Sequence, residues 1–406
     1  MRKVAAALLA MVSLTGAAQA EMASCNLEVG DDVSPGEGCD SAWIERNLRL
    51  NDLVVVGTHN SYKTDIPANI MALIRAADPR RADAIDYQHL PLSQQLDAGI
   101  RQLEIDVYAD PEGGRFLDPA ILRLTETELD AERKAALSEP GFKVMHIQDI
   151  DVFSSCSTLK ACLGIVRRWS VANRHHVPIL IMVNAKTGPS PLADGVAALP
   201  FDTATFADLD REIRLVFPAD ALIAPDDVQG RYPNLREAVL DGAWPTLGQA
   251  RGKVLFALDE GPEKIAAYLG GRSSLEGRVF FLNADETSPL AAYMTINDPV
   301  RDAARIRSAV ARGFIVRTRA DADTLEARAN DRRRWAAALE SGAQFISTDY
   351  YWAEPRLGND YRIRLPGDVA AQCNPVRTVS RCAQHPAETL EQGRSAHPAT
   401  AGHKGQ

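Results

Sequence analysis

Apolar residues recur along this chain in short blocks with a steady rhythm. Residues 53–57 form a β-branched run closed by Gly57, which predicts a first strand. Residues 100–107 alternate Ile, Leu, Ile and Val with Gln102, Glu104 and Asp106, so a second strand carries those three polar side chains on one face. Further strands are predicted over 142–146, 177–183, 253–258, 278–282, 314–318 and 344–348. The run over 177–183 is almost purely apolar, as a parallel strand covered on both faces reads. Helical spacing falls between the strands, over 91–99 (stopped at Gly99), 159–174, 206–216, 262–269, 299–312 and 323–341. Eight strands alternating with helices imply parallel βαβ units, hence an α/β chain folded as a single (β/α)8 barrel of the TIM type. Residues 108–141 break the rhythm with Gly113-Gly114 and a charged helical segment over 126–137. They predict a helical insertion after the second strand, lying over one mouth of the barrel.

The ends read differently. Arg2-Lys3, an apolar run and Ala18-Gln19-Ala20 have the form of a secretory signal peptide cleaved after Ala20. The expected domains are therefore 1–20 as signal peptide, 21–382 as barrel and 383–406 as a disordered polar tail. A short helix is expected over 43–50. No other stretch reaches the length of a transmembrane helix, so the mature chain is expected to be soluble and secreted or periplasmic. All six cysteines follow Ala20 and group as Cys25 with Cys39, Cys156 with Cys162 and Cys373 with Cys382, which predicts three disulfides. A zinc site is the competing use, but no Cys-x-x-Cys spacing supports it.

Composition narrows the partners more than the fold. The chain has 406 residues, 46% hydrophobic and 24% charged, enough apolar content for one large core. A net charge of −9 argues against nucleic acid and against a polybasic membrane anchor.

Chemistry belongs at the C-terminal ends of barrel strands. In order, those ends carry His59/Asn60, Glu104/Asp106, His146, Asn184/Lys186, Asp259/Glu260, Asn283/Asp285, Arg317/Arg319 and Asp349/Tyr350. Helix caps and polar loops account for Asp259, Glu260 and Asp285 as readily as a site does. They account poorly for Glu104 and Asp106, two carboxylates within an apolar strand that repel unless a cation lies between them. A divalent ion with hard oxygen ligands, Ca2+ above all, would neutralise the pair, with Asn60 as a third ligand and Asn184 as a fourth. His59 and His146 fit a general acid and base pair, since imidazole titrates near neutral pH. Lys186, Arg317 and Arg319 would bind an anionic substrate such as a phosphodiester. Tyr350-Tyr351-Trp352 reads either as an aromatic rim or as plain packing.

Gly57-Thr58-His59-Asn60-Ser61-Tyr62, Leu103-Glu104-Ile105-Asp106, Lys143-Val144-Met145-His146 and Ser347-Thr348-Asp349-Tyr350 resemble the phosphatidylinositol-specific phospholipase C superfamily. The similarity is greatest to its bacterial calcium-dependent branch and covers roughly residues 48–373, including 151–162 and 317–321. The resemblance implies a TIM-type barrel that cleaves a lipid phosphodiester through attack by the inositol 2-hydroxyl. It implies His59 and His146 as acid–base and oxyanion-stabilising groups, with Asn60, Glu104 and Asp106 on calcium. The expected partner is a phospholipid or other phosphodiester, with transient contact to a membrane surface. One departure stands out: calcium-dependent members usually carry Glu on the fourth strand, followed two residues on by Lys, where this chain has Asn184 and Lys186.

Two other readings are open from the sequence. A glycerophosphodiester phosphodiesterase or phospholipase D-like barrel uses related His and carboxylate groups. The former usually has His-Arg-Gly after the first strand and Glu-Asn on the second, unlike His59-Asn60-Ser61 and Glu104-Ile105-Asp106. An inactive barrel that binds lipid head groups or a protein would explain Asn184 but not the retained histidines and acidic pair.

Overall fold

A computed structural model describes residues 41–377 of the chain. The predicted signal peptide, the polar tail, Cys25, Cys39 and Cys382 lie outside the described residues. The strands are β1 (Leu53–Thr58), β2 (Gln102–Asp110), β3 (Gly141–Val144), β4 (Ile179–Ala185), β5 (Leu222–Ile223), β6 (Val254–Leu258), β7 (Phe280–Leu282), β8 (Tyr293–Thr295), β9 (Ile315–Arg319), β10 (Phe345–Thr348) and β11 (Ala371–Cys373). Parallel pairing runs β1–β2–β4–β6–β7, then β8–β9–β10 and back to β1. A lone parallel bridge between Asn283 and Tyr293 joins β7 to β8. The result is a TIM-type ring whose strands are apolar because both faces are covered, one by the barrel interior and one by the outer helices.

The ring contains seven of the eight strands the periodicity suggested, and the exception is the third. The third, over 142–146, is β3, and it ends at Val144 and pairs antiparallel with the far end of β2, Val107 opposite Val144. Its place in the ring is taken by β8, a strand of three residues, too short to declare a period. The cause is the insertion. Residues 111–140 carry no crossover back along the barrel wall, so the chain returns beside β2 in the opposite sense. The insertion does hold helices, Ala120–Leu124 and Ala131–Ser138. They bury Ile121, Leu122 and Leu137 in a small second core with Ile66, Ile70, Met145, Val152 and Phe153, beside the barrel mouth. The helix predicted over 323–341 is two, Leu325–Ala329 and Arg333–Ser341. Asn330, at φ 50°, ends the first in the left-handed conformation that Asn tolerates.

Gly57 has a packing role beyond ending an apolar run. It lies opposite Gln102 in the β1–β2 register, and a Cβ there would sit 2.1 Å from Gln102 Oε1. Only glycine lets β1 and β2 meet at this level, two residues before His59. Cys156–Cys162 is a disulfide, Cα to Cα 5.2 Å, and Cys373 is also disulfide-bonded. Among the described residues no cysteine is free, and no helix is long and apolar enough to cross a membrane.

Candidate active site

The chain leaves β1 through a tight bend at Asn60, whose φ is 48°. The bend leaves His59 beside the end of the neighbouring strand β10, where Thr58 and Thr348 are in register. His59 Nδ1 donates to Asp349 Oδ1 at 2.9 Å, and Asp349 Oδ2 accepts from Arg319 Nη2 at 3.1 Å. Burial pushes the Asp349 carboxyl up, but His59 and Arg319 outweigh it and hold it well below the usual range. Asp321 lies behind, accepting the Asp349 backbone N–H at 2.8 Å and the hydroxyls of Thr348 and Tyr361. Burial and then the charge of Asp349 push the Asp321 carboxyl up. A histidine anchored through Nδ1 turns Nε2 to the cleft with its lone pair available. Here Nε2 lies 3.6 Å from Glu104 Oε1.

His146 follows β3, not a ring strand, yet its anchoring repeats the same scheme. Its Nδ1 donates to Asp151 Oδ2 at 2.9 Å, and that oxygen is 3.0 Å from Lys63 Nζ. Asp151 and Lys63 are both fully buried, while His59 and His146 keep 20% and 17% of their side chains exposed, enough to meet a substrate. The two histidine-bearing loops are tied together, since Lys63 bridges Ser154 and Thr64 donates its N–H to the Phe153 carbonyl. A hairpin off the ring is thereby held against the loop after β1.

Glu104 and Asp106 face the interior together, as the alternation of β2 requires. Asp106 is in register with Asn184 on β4, and Asn184 Nδ2 donates to Glu104 Oε1 at 3.1 Å and Asp106 Oδ1 at 3.0 Å. Arg317 Nη2 reaches Glu104 Oε2 at 2.6 Å, and Lys186 Nζ lies 3.0 Å from Asp106 Oδ2. Burial lowers the Lys186 pKa but Asp106 and Glu104 outweigh it, so its ammonium is held charged. Asn60 Nδ2 donates to the Tyr87 hydroxyl at 2.8 Å, and Asn60 Oδ1 accepts from Tyr62 at 3.3 Å.

The structure thus gathers His59, Asn60, Glu104, Asp106, Asn184, Lys186, Arg317 and Arg319 into one connected set. His146 joins it through Lys63 and the loop bridges. Arg317 is 2% exposed and committed to Glu104 and Asn297. Glu260 pairs with Lys264 one helical turn on, and Asp285 caps Thr287, so both have ordinary structural uses. Tyr350 and Tyr351 are buried, which excludes them from a rim. The sequence reading passed over Asp151, Tyr87 and His89. His89 donates from Nε2 to the His59 carbonyl at 2.8 Å and is kept neutral by burial, its pKa lowered to about 4. An acid five residues after His146 was the available signal for Asp151; Tyr87 and His89 lie in a connecting loop with no period to mark them.

The donor set suits a hard cation. Among the described residues no three His, Cys, Asp or Glu side chains gather around a common point. Glu104, Asp106, Asn60 and Asn184 all carry oxygen donors of the kind a hard cation takes, while the Asn184 amide here turns its Nδ2 to the two carboxylates.

A family model described as phosphoinositide phospholipase C, Ca2+-dependent, matches residues 48–375. Two solved structures of a calcium-dependent phosphoinositol-specific phospholipase C from a Gram-negative bacterium, Pseudomonas sp., are similar at 18% identity and a TM-score of 0.50. One is an apo crystal form, covering 81% of this chain and 96% of that one. The other is a myoinositol complex, covering 82% and 98%. No curated protein sequence matches the chain.

Proposed function

This chain belongs to the Ca2+-dependent phosphoinositide phospholipase C family, whose members are phosphoric diester hydrolases, and from that premise we propose that it cleaves a phosphoinositide or glycerophosphoinositide diester with His59 and His146. The observation that carries the reading is the pair of Nδ1-anchored histidines, one on Asp349 and one on Asp151. Each leaves Nε2 without a hydrogen bond, that of His59 beside Glu104, and each has a carboxylate ready to stabilise the imidazolium that forms on taking a proton. One histidine removes the proton from the attacking inositol 2-hydroxyl as the new P–O bond forms. The other gives a proton to the glycerol oxygen as its P–O bond breaks, so one proton is taken and one returned. Lys186 and Arg319 bind the phosphate oxygens and stabilise the charge that builds on them in the transition state.

Asn60, Glu104, Asp106 and Asn184 would hold the calcium ion. Bound there, calcium would offset the developing phosphate charge and lower the pKa of the attacking hydroxyl. Two carboxylates place the affinity at the weak end, a Kd of roughly 10⁻⁴–10⁻³ M.

The direct test is a panel of phosphodiesters incubated with and without chelator, with products identified by mass. Cyclic inositol phosphate with diacylglycerol, lost in chelator, is the expected result. Glycerol phosphate would favour a glycerophosphodiesterase, and full turnover in chelator would remove calcium from the reaction. Export follows from the amino-terminal sequence, and fractionation of the producing cell should find the chain outside the cytoplasm.

A second expectation concerns Asn184→Glu. A third carboxylate should tighten calcium binding in isothermal titration. In chelator the same variant should melt below the wild type, because three carboxylates then converge without an ion between them. A variant whose melting temperature and calcium affinity both match the wild type would put residue 184 outside the ion's ligand set.

A further inference from the structure

Each carboxylate oxygen of the acidic pair already has a protein partner. Arg317 takes Glu104 Oε2, Lys186 takes Asp106 Oδ2, and the Asn184 amide spans the two inner oxygens. Two carboxylates against two cations leave these four side chains formally neutral among themselves. A glutamate at position 184 would have left one negative charge in excess. With Asn184 there, a divalent ion approaching these four side chains is attracted less than it would be beside a glutamate.

The two cations are not equivalent. Arg317 is 2% exposed and forks between Glu104 and Asn297, a planar group fixed by more than one acceptor. Lys186 is 34% exposed and holds Asp106 through a compact ammonium on a flexible stem. Of the two, only Lys186 is exposed enough to swing to solvent or to a substrate, and its departure leaves the buried Asp106 carboxylate for an ion to pair with.

We propose that Lys186 is the resident counter-cation of Asp106, that calcium binds only as this ammonium is displaced, and that the released Lys186 then faces the substrate phosphate. The proposal rests on the calcium reading given above. Departure of Lys186 restores one net negative charge beside Arg317, which is what attracts the ion. Calcium occupancy and the Lys186–Asp106 pair are therefore mutually exclusive, and ion binding itself readies a cation for the diester.

The test uses the mature protein, calcium chloride titrations by calorimetry, and the Nζ resonance of Lys186 in 15N-lysine-labelled wild type. Lys186→Met should bind calcium about tenfold more tightly than wild type, since one like charge near the ion is gone. Lys186→Arg keeps the charge and should stay within about twofold of wild type. In the wild type, calcium should shift and sharpen the Lys186 Nζ signal as the ion pair opens. KM for the diester should rise in Lys186→Met, because the phosphate loses its cation. Equal calcium affinity in wild type and Lys186→Met overturns the displacement while leaving the calcium site standing. Weaker binding in Lys186→Met, or a Nζ signal indifferent to calcium, overturns it as well. No calcium binding by any of the three proteins overturns both the displacement and the calcium reading.

Discussion

His59→Ala and His146→Ala are each expected to lower kcat by about 10²–10⁴, the loss that follows removal of a general acid or base. The expectation rests on how each ring is held. Nδ1 is committed to a buried carboxylate in both cases, so only Nε2 is left to exchange protons with a substrate. Neither histidine carries the fold, since the two stay partly exposed and bond through one ring nitrogen to groups with other partners. Circular dichroism and melting should therefore stay close to wild type. The two variants should also differ from each other with an activated substrate. A leaving group that needs no proton, such as a nitrophenolate, should rescue the variant lacking the general acid and not the one lacking the base. Near wild-type turnover by either variant on the natural diester would remove that histidine from the reaction.

Much of the barrel was legible because its signals are local. Ring strands β1, β2, β4, β6, β7, β9 and β10 announce themselves as apolar or alternating runs, and helix Pro262–Leu269 was predicted with the observed bounds. The direction of β3 was not legible, since a strand's period says nothing of the sense in which it pairs. That depends on where the insertion delivers the chain. β8 escaped because Tyr293-Met294-Thr295 spans too few residues to set a period, and its seam with β7 is one bridge.

The candidate site divides along the same line. Glu104 and Asp106 could be placed on one face from alternation alone, and their convergence with Asn184 follows from the β2–β4 register. The partners of the histidines could not be found that way. Asp349 comes from the far end of the chain, and it meets His59 only because β10 closes the ring against β1. Tyr87 comes from a connecting loop. Its hydroxyl accepts from Asn60 and its ring face covers Lys63, 5.2 Å from Nζ to the ring centre. Such contacts arise from ring closure and loop packing, which residue spacing does not encode.

Lys63→Met should produce the largest loss of stability of any single substitution near the site, about 3–5 kcal/mol, because it strands a buried carboxylate. Asp151 is fully buried and shares one oxygen between Lys63 Nζ at 3.0 Å and His146 Nδ1 at 2.9 Å. Burial pushes the Asp151 carboxyl up, and Lys63 with His146 outweighs it, leaving the pKa below the usual value. A folded-state pKa below the unfolded value of about 3.9 means the pair stabilises the protein above that pH. The contribution is lost as the pH falls through the folded-state value. Without the ammonium only His146 opposes burial, so the Asp151 pKa should rise and the acid limb of the stability profile should move to higher pH in Lys63→Met. Urea melts across pH 3–8 would measure both the loss and the shift. The double variant Lys63→Met, Asp151→Asn removes the stranded charge and should recover most of the stability. It should not recover turnover, because His146 then lacks the carboxylate that fixes its tautomer and stabilises its protonated ring. Recovery of stability and turnover together would make Lys63 and Asp151 a purely structural pair. A single variant as stable as wild type at every pH would show that the pair contributes nothing to the fold.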